Sequence, residues 1–261
     1  MKIGFILNKH DLSSSTSGMR EVFTLLQSRG VDVAPIVAET DFINLSSLSV
    51  DCDAYVLKSK TELSLSLAGV LSYNGGRLLN AFSASSFVQD NIRVINRLQE
   101  MEILVPRSYV TGTLSHISEI TQDASVLIKS HRRGTDAGAE WVSRGDFPDI
   151  IPEGGILIQE VPLNEGQSFK VYGIGEELFG LKGDFLNNQK GPAVPCELPE
   201  EVRKVALACG RIFNLQVYGV NILTTSAGPC VVDLTPFPHV IGVPGASELL
   251  SEYIYNYALG L

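Results

Sequence analysis

The chain has 261 residues and a formal net charge of −9, a length that allows one large domain or two to three small ones. With 44% hydrophobic and 19% charged residues it can build a sizeable core and is not a disordered chain. The acidic balance excludes a general nucleic-acid binder, which needs a basic surface to neutralise phosphates, but it leaves room for a local basic pocket. Cys52, Cys196, Cys209 and Cys230 show no C-x-x-C spacing, which speaks against a zinc site or a dense disulfide framework; free thiols in a reducing cytoplasm are expected. Met1 to Asn8 turns polar too soon for a signal peptide. No run of about 18 apolar residues marks a membrane span.

Lys2 to Leu7 reads as a buried strand, and the Ser-rich stretch from Asn8 to Gly18 as a loop. Met19, Val22, Phe23 and Leu26 recur at helical spacing, and Gly30 is a C-terminal stop. Val31 to Val37 and Asp53 to Leu57 read as strands, Leu63 to Tyr73 as a helix, and Arg77 to Asn80 as a fourth strand. Strands alternating with helices imply parallel pairing, so residues 1–82 form an open α/β unit. The Ser-rich loop lies at the carboxyl end of a strand, where such folds bind ligands. It has neither G-x-G-x-x-G nor a Walker lysine, so a substrate-facing loop and a solvated loop both stay open. Lys58 follows the third strand directly and reads either as a cation offered to an anionic substrate or as the charged start of the next helix.

Asp90 to Met101 is amphipathic, with Ile92, Ile95, Leu98 and Met101 on one face. Ser125 to Lys129 reads as a strand that ends in lysine, and His131, Arg132, Arg133, Gly134 and Gly138 follow it. Glycines that admit close backbone approach, next to four cationic or ionisable groups, make a phosphate-binding loop; a basic hairpin turn is the competing reading. Gly155 to Glu160 is a further strand. Ser168 to Gly175 and Glu177 to Lys182 read as a strand pair with Lys170 and Lys182 three or four pairs apart across a tight Gly-Glu-Glu turn. Asn187 to Pro195 is loop-like, and Val202, Val205, Ala206 and Cys209 mark a helix. Val217 to Leu223 and Pro229 to Pro238 read as a hairpin whose pairing gathers Asn221, Asp233 and Thr235 at one sheet end. Three short oxygen-bearing side chains suit a hard cation such as Mg²⁺; a polar strand end that faces water is the alternative. Gly245 to Leu259 is a final helix.

The order of these pieces resembles the ATP-grasp superfamily. The hairpin Gly219-Val-Asn221 … Asp233-Leu-Thr235-Pro-Phe-Pro238 and the tail Gly242-Val-Pro-Gly resemble ribosomal-S6-modification-type (RimK-like) carboxylate–amine ligases and inositol trisphosphate kinase relatives. The resemblance implies an α/β ATP-grasp fold in three lobes. They are an N-terminal α/β lobe over residues 1–82, a lid over 105–158, and a main lobe over 83–104 with 159–261. It implies ATP and Mg²⁺ as cofactors. Lys129, His131, Arg133 and Gly134 would hold and cover the phosphates, and Gln159, Glu160 and Val161 would form the adenine hinge. Lys170 and Lys182 would act on substrate or γ-phosphate, Lys58 would bind substrate, and Asn221, Asp233 and Thr235 would bind metal. The chain departs from the pattern where Asn91, Asn221 and Thr235 replace Lys, Asp and Asn. The implied activity is a cytoplasmic ATP-dependent ligase that joins a small-molecule or peptide carboxylate to an amine, with a homodimer left open. A kinase acting on an inositol phosphate or similar polyol, and a weakened nucleotide-binding protein, are the alternatives.

Overall fold

The computed structural model describes residues 1–9, 11, 18–113, 126–130, 140–142 (backbone only), 155–161, 166–183, 193–240 and 243–261. Three sheets carry the fold among these residues. The first runs β2-β1-β3-β4 and is parallel, with β1 at Lys2–Ile6, β2 at Asp32–Ile36, β3 at Ala54–Leu57 and β4 at Leu78–Leu79. Helices cover both faces, so its strands are nearly all apolar rather than alternating. Ile3, Phe5 and Leu7 pack with Val22 and Leu26 of helix α1 (Met19–Ser28) on one face. Ile6, Tyr55 and Leu57 pack on the other face with Leu65, Ala68 and Leu71 of α2 (Glu62–Tyr73).

Two short helices follow, α3 (Phe82–Val88) and α4 (Asn91–Glu100). Asp90 caps α4, its side chain accepting from the backbone N–H groups of Ile92 and Arg93. The lid sheet is antiparallel in the order β5-β8-β6-β7: β5 Arg107–Thr111, β6 Val126–Ser130, β7 Glu140–Val142 and β8 Ile156–Glu160. The main sheet runs β11-β10-β9-β12-β13, also antiparallel. Its strands are β9 Ser168–Ile174, β10 Glu177–Lys182, β11 Val194–Cys196, β12 Val217–Thr225 and β13 Gly228–Pro236.

Helix α5 (Glu200–Ile212), with α3 and α4, covers one face of the main sheet. Val202, Ala206 and Cys209 meet Phe169, Val171, Val220 and Leu234 there. Tyr218 lies so close to Gly173 and Gly210 that a Cβ at either would stand 2.3 or 2.6 Å from its ring. The opposite face looks toward the lid, and Leu127 and Val161 bridge to Leu223 and Val232 across the gap. The last helix, α6 (Ala246–Leu259), packs against α1 and the first sheet through Leu250, Ile254 and Ala258. The terminal helix thus shares the core of the N-terminal lobe, since its apolar face completes the cover that α1 leaves open.

Candidate functional site

Side chains alternate faces along a strand, and directly paired residues share a face. Asn221 pairs with Asp233 on one side and with Lys170 on the other, while Gly219 pairs with Thr235. Lys170, Asn221, Asp233 and Thr235 are therefore brought to one face of the main sheet, the one turned to the lid. Thr235 Oγ1 donates to Asp233 Oδ2 at 3.1 Å, and the Lys170 ammonium lies 5.4 Å from the centre of the Tyr172 ring.

Lys182 does not join them. It pairs with Phe169, whereas Lys170 pairs with Leu181, so Lys182 starts from the helix-covered face. This offset of one residue, which reverses the face of every side chain on a strand, starts the two lysines from opposite faces of the sheet.

A bulge shapes the hairpin of β12 and β13. Asn221 pairs with Asp233 and Ile222 with Val231, so Val232 has no opposite number. From the lid, Lys129 Nζ donates to the Val232 carbonyl at 2.8 Å and lies 3.4 Å from Asp233 Oδ1. Lys129 is only 8% exposed, so its ammonium is held in a narrow gap between two sheets. Asn91, also buried, donates from Nδ2 to the Ser130 carbonyl at 2.9 Å and ties the start of α4 to the end of β6. The amide thus makes a structural tie and brings no charge. Arg93, its neighbour in sequence, sits over the Phe87 ring at 4.1 Å instead.

At the other end of β8, Gln159 is buried and faces Leu127 and Ser108 across the lid sheet. Glu160 Oε1 accepts from the Tyr109 hydroxyl at 2.9 Å. Glu160 and Val161 border a cavity of about 410 Å³ that reaches Pro106, Arg107 and the turn at Ser226. His131, Arg132, Arg133, Gly134 and Gly138 lie outside the described residues, as does most of the Ser-rich loop.

Lys58 is 4% exposed, and its ammonium lies 3.1 Å from Asp11 Oδ1 and 3.4 Å from His239 Nε2. Burial pulls the ammonium below its usual range, and the Asp11 carboxylate opposes that shift. Asp11 is anchored in turn: its carboxylate accepts from the Asn8 backbone N–H at 3.0 Å, and its own N–H donates to Asn8 Oδ1 at 2.9 Å. Neither Asp11 nor His239 stands out in the sequence. The usable signal for Asp11 is its place in the loop after β1, and for His239 its place just beyond the metal hairpin.

Burial pushes the thiol of Cys52 up to about 11 and those of Cys209 and Cys230 up to about 12, which removes them as nucleophiles near neutral pH. Among the described residues no three His, Cys, Asp or Glu side chains gather as a metal cage. The oxygen set of Asp233, Asn221 and Thr235 nonetheless suits Mg²⁺, which needs few protein ligands when it keeps water and phosphate oxygens. One nucleotide prediction arises here. Lys129→Ala is expected to weaken ATP binding at least tenfold, the scale of one charge-assisted contact at about 1.5–3 kcal/mol, measured by calorimetry. Unchanged affinity would remove Lys129 from the phosphate site.

No family model matches the chain. Among curated proteins it is similar to the probable alpha-L-glutamate ligase 2 of Shewanella amazonensis, 28% identical over 98% of this chain and 95% of that protein. Among solved structures it superposes on a RimK domain ATP-grasp protein from Sphaerobacter thermophilus with a TM-score of 0.77 at 16% identity, covering 97% of this chain and 99% of the other. It also superposes on D-alanine–D-alanine ligase from Bacillus anthracis, solved in complex with ATP, with a TM-score of 0.73 at 14% identity over 100% and 98% of the two chains. No helix among the described residues is long and apolar enough to cross a membrane. The three sheets, their order and these matches show the ATP-grasp fold, and the chain is similar to RimK-type carboxylate–amine ligases.

Proposed function

We propose that the protein is an ATP-dependent carboxylate–amine ligase working in the cytoplasm, with a small molecule or peptide as the acid. The contact that best supports this is Lys129 of the lid set against Val232 and Asp233 of the hairpin. It supports the reading because a cation and an oxygen-rich set of side chains on facing sheets suit a bound triphosphate. Lys129 would contact the phosphates, and Gln159, Glu160 and Val161 would meet the base. Lys170, on the same face as Asp233, would face the transferred phosphoryl group. Asp233, Asn221 and Thr235 would hold Mg²⁺, which when bound neutralises charge on the phosphate oxygens. The substrate carboxylate attacks the γ-phosphorus while the bond to the β–γ bridging oxygen breaks and ADP leaves, and an amine then displaces phosphate from the acyl phosphate. Positioning and electrostatics suffice for such transfers.

The test is ADP release measured against amino acids, short peptides and inositol phosphates. Release that needs a carboxylate together with an amine is the expected result. Phosphorylated polyol would establish the kinase reading, and ATP binding without ADP release on any substrate would establish a nucleotide-binding protein.

A further inference from the structure

Three loops from two lobes meet at one buried cluster. Asp11 comes from the loop after β1, Lys58 from the end of β3 and His239 from the segment after β13. Asp11 Oδ1 lies 3.1 Å from Lys58 Nζ and 3.5 Å from His239 Nε2. The ion pair is closed off from water, with side-chain exposures of 3% and 0%, while the imidazole is 43% exposed. A buried ion pair is a poor route to stability, because desolvation offsets most of its attraction. Its place is also that of a ligand site, at the carboxyl ends of parallel strands and four residues beyond the proposed metal ligand Thr235.

We propose that this cluster is the subsite for the attacking amine, with His239 accepting the proton that the amine gives up. The inference rests on the ligase reading. His239 turns Nε2 inward to Asp11 and Lys58. In the tautomer that donates Nε2–H to the Asp11 carboxylate, Nδ1 carries the lone pair that takes a proton. Asp11 then fixes the ring and balances the imidazolium as it forms, as a buried carboxylate does behind a general-base histidine. In the step itself the amine nitrogen bonds to the acyl carbon while the carbon–oxygen bond to phosphate breaks. His239 takes its proton from the substrate ammonium before attack, which frees the nitrogen lone pair; phosphate then leaves with the bond pair and carries off the proton that the new amide nitrogen sheds. Asp11 and Lys58 are positioning residues, and His239 is the group that meets the substrate.

The test compares two nucleophiles in wild type and His239→Gln, with ATP and L-glutamate as the acid. L-Glutamate itself is one amine. Hydroxylamine is the other, a nucleophile already unprotonated near neutral pH that yields a hydroxamate from an acyl phosphate. His239→Gln is expected to lose glutamate-dependent turnover by about 100-fold or more and to keep hydroxamate formation within about threefold. Equal loss with both nucleophiles, or loss with neither, overturns the role of His239. A wild-type protein that releases no ADP with either nucleophile on any acid of the panel overturns the ligase reading itself, so the two failures are distinguishable.

Discussion

Asp233→Asn is expected to abolish turnover, with ADP release falling by at least about 100-fold, the scale on which one preorganised charge contact acts at a transferring group. Asp233 is the carboxylate of the group that the pairing brings to one face with Lys170, Asn221 and Thr235. Its two oxygens face different partners, Oδ1 the Lys129 ammonium and Oδ2 the Thr235 hydroxyl. An amide keeps the shape and one acceptor, so the hairpin and its bulge at Val232 should survive; thermal unfolding checks that. It removes the negative charge that would attract Mg²⁺. The complementary change is Asn221→Asp, which adds a second carboxylate directly opposite Asp233. That variant should keep or raise turnover and lower the Mg²⁺ concentration needed for half-maximal rate. A crystal soaked with Mg²⁺ and ATP in which no metal lies within bonding distance of Asp233 would refute the ligand assignment.

Lys58→Met should cost about 3–5 kcal/mol of stability, because it takes the counter-ion from a buried carboxylate. Asp11 is 1% exposed and Lys58 4%, so neither can turn to water without opening the junction with His239. Lys58→Met combined with Asp11→Leu removes both charges and should recover much of the loss, as apolar replacements of buried ion pairs do. Denaturant unfolding of the two single variants and the double variant gives the coupling directly. A pH signature accompanies it. Burial lowers the Lys58 ammonium below its usual 10.5, so just below that pH the folded state binds fewer protons than the unfolded one. Stability therefore gains an increment as pH rises toward 10.5. Lys58→Met should lack that increment. Equal stability of wild type and Lys58→Met would show that the pair is exposed in solution.

The sheets, helices and hairpin were legible because their signals are local. Period-two and 3.6-residue patterns and the turn between β12 and β13 each span a few residues. The grouping of Asn221, Asp233 and Thr235 was legible for the same reason: one short hairpin carries all three. Lys182 shows where this ends. Its distance from the turn was readable, but its face depended on pairing with Phe169 rather than with Lys170, and an offset of one decides the side.

By itself the chain determined which residue types stand at which strand ends, because burial periodicity and turn chemistry act over neighbouring positions. Lys129 and Asp233 were readable as candidates on that basis, and Lys170 through the resemblance. Only the tertiary structure decided what those ends meet. Lys129 reaches a carbonyl 103 residues away that a bulge turns toward it. Lys58 reads in sequence as a cation free for substrate, yet it is neutralised by Asp11 and touches His239, 181 residues later. No local pattern encodes such contacts, since they follow from how three packed sheets bring distant loops within a few ångströms.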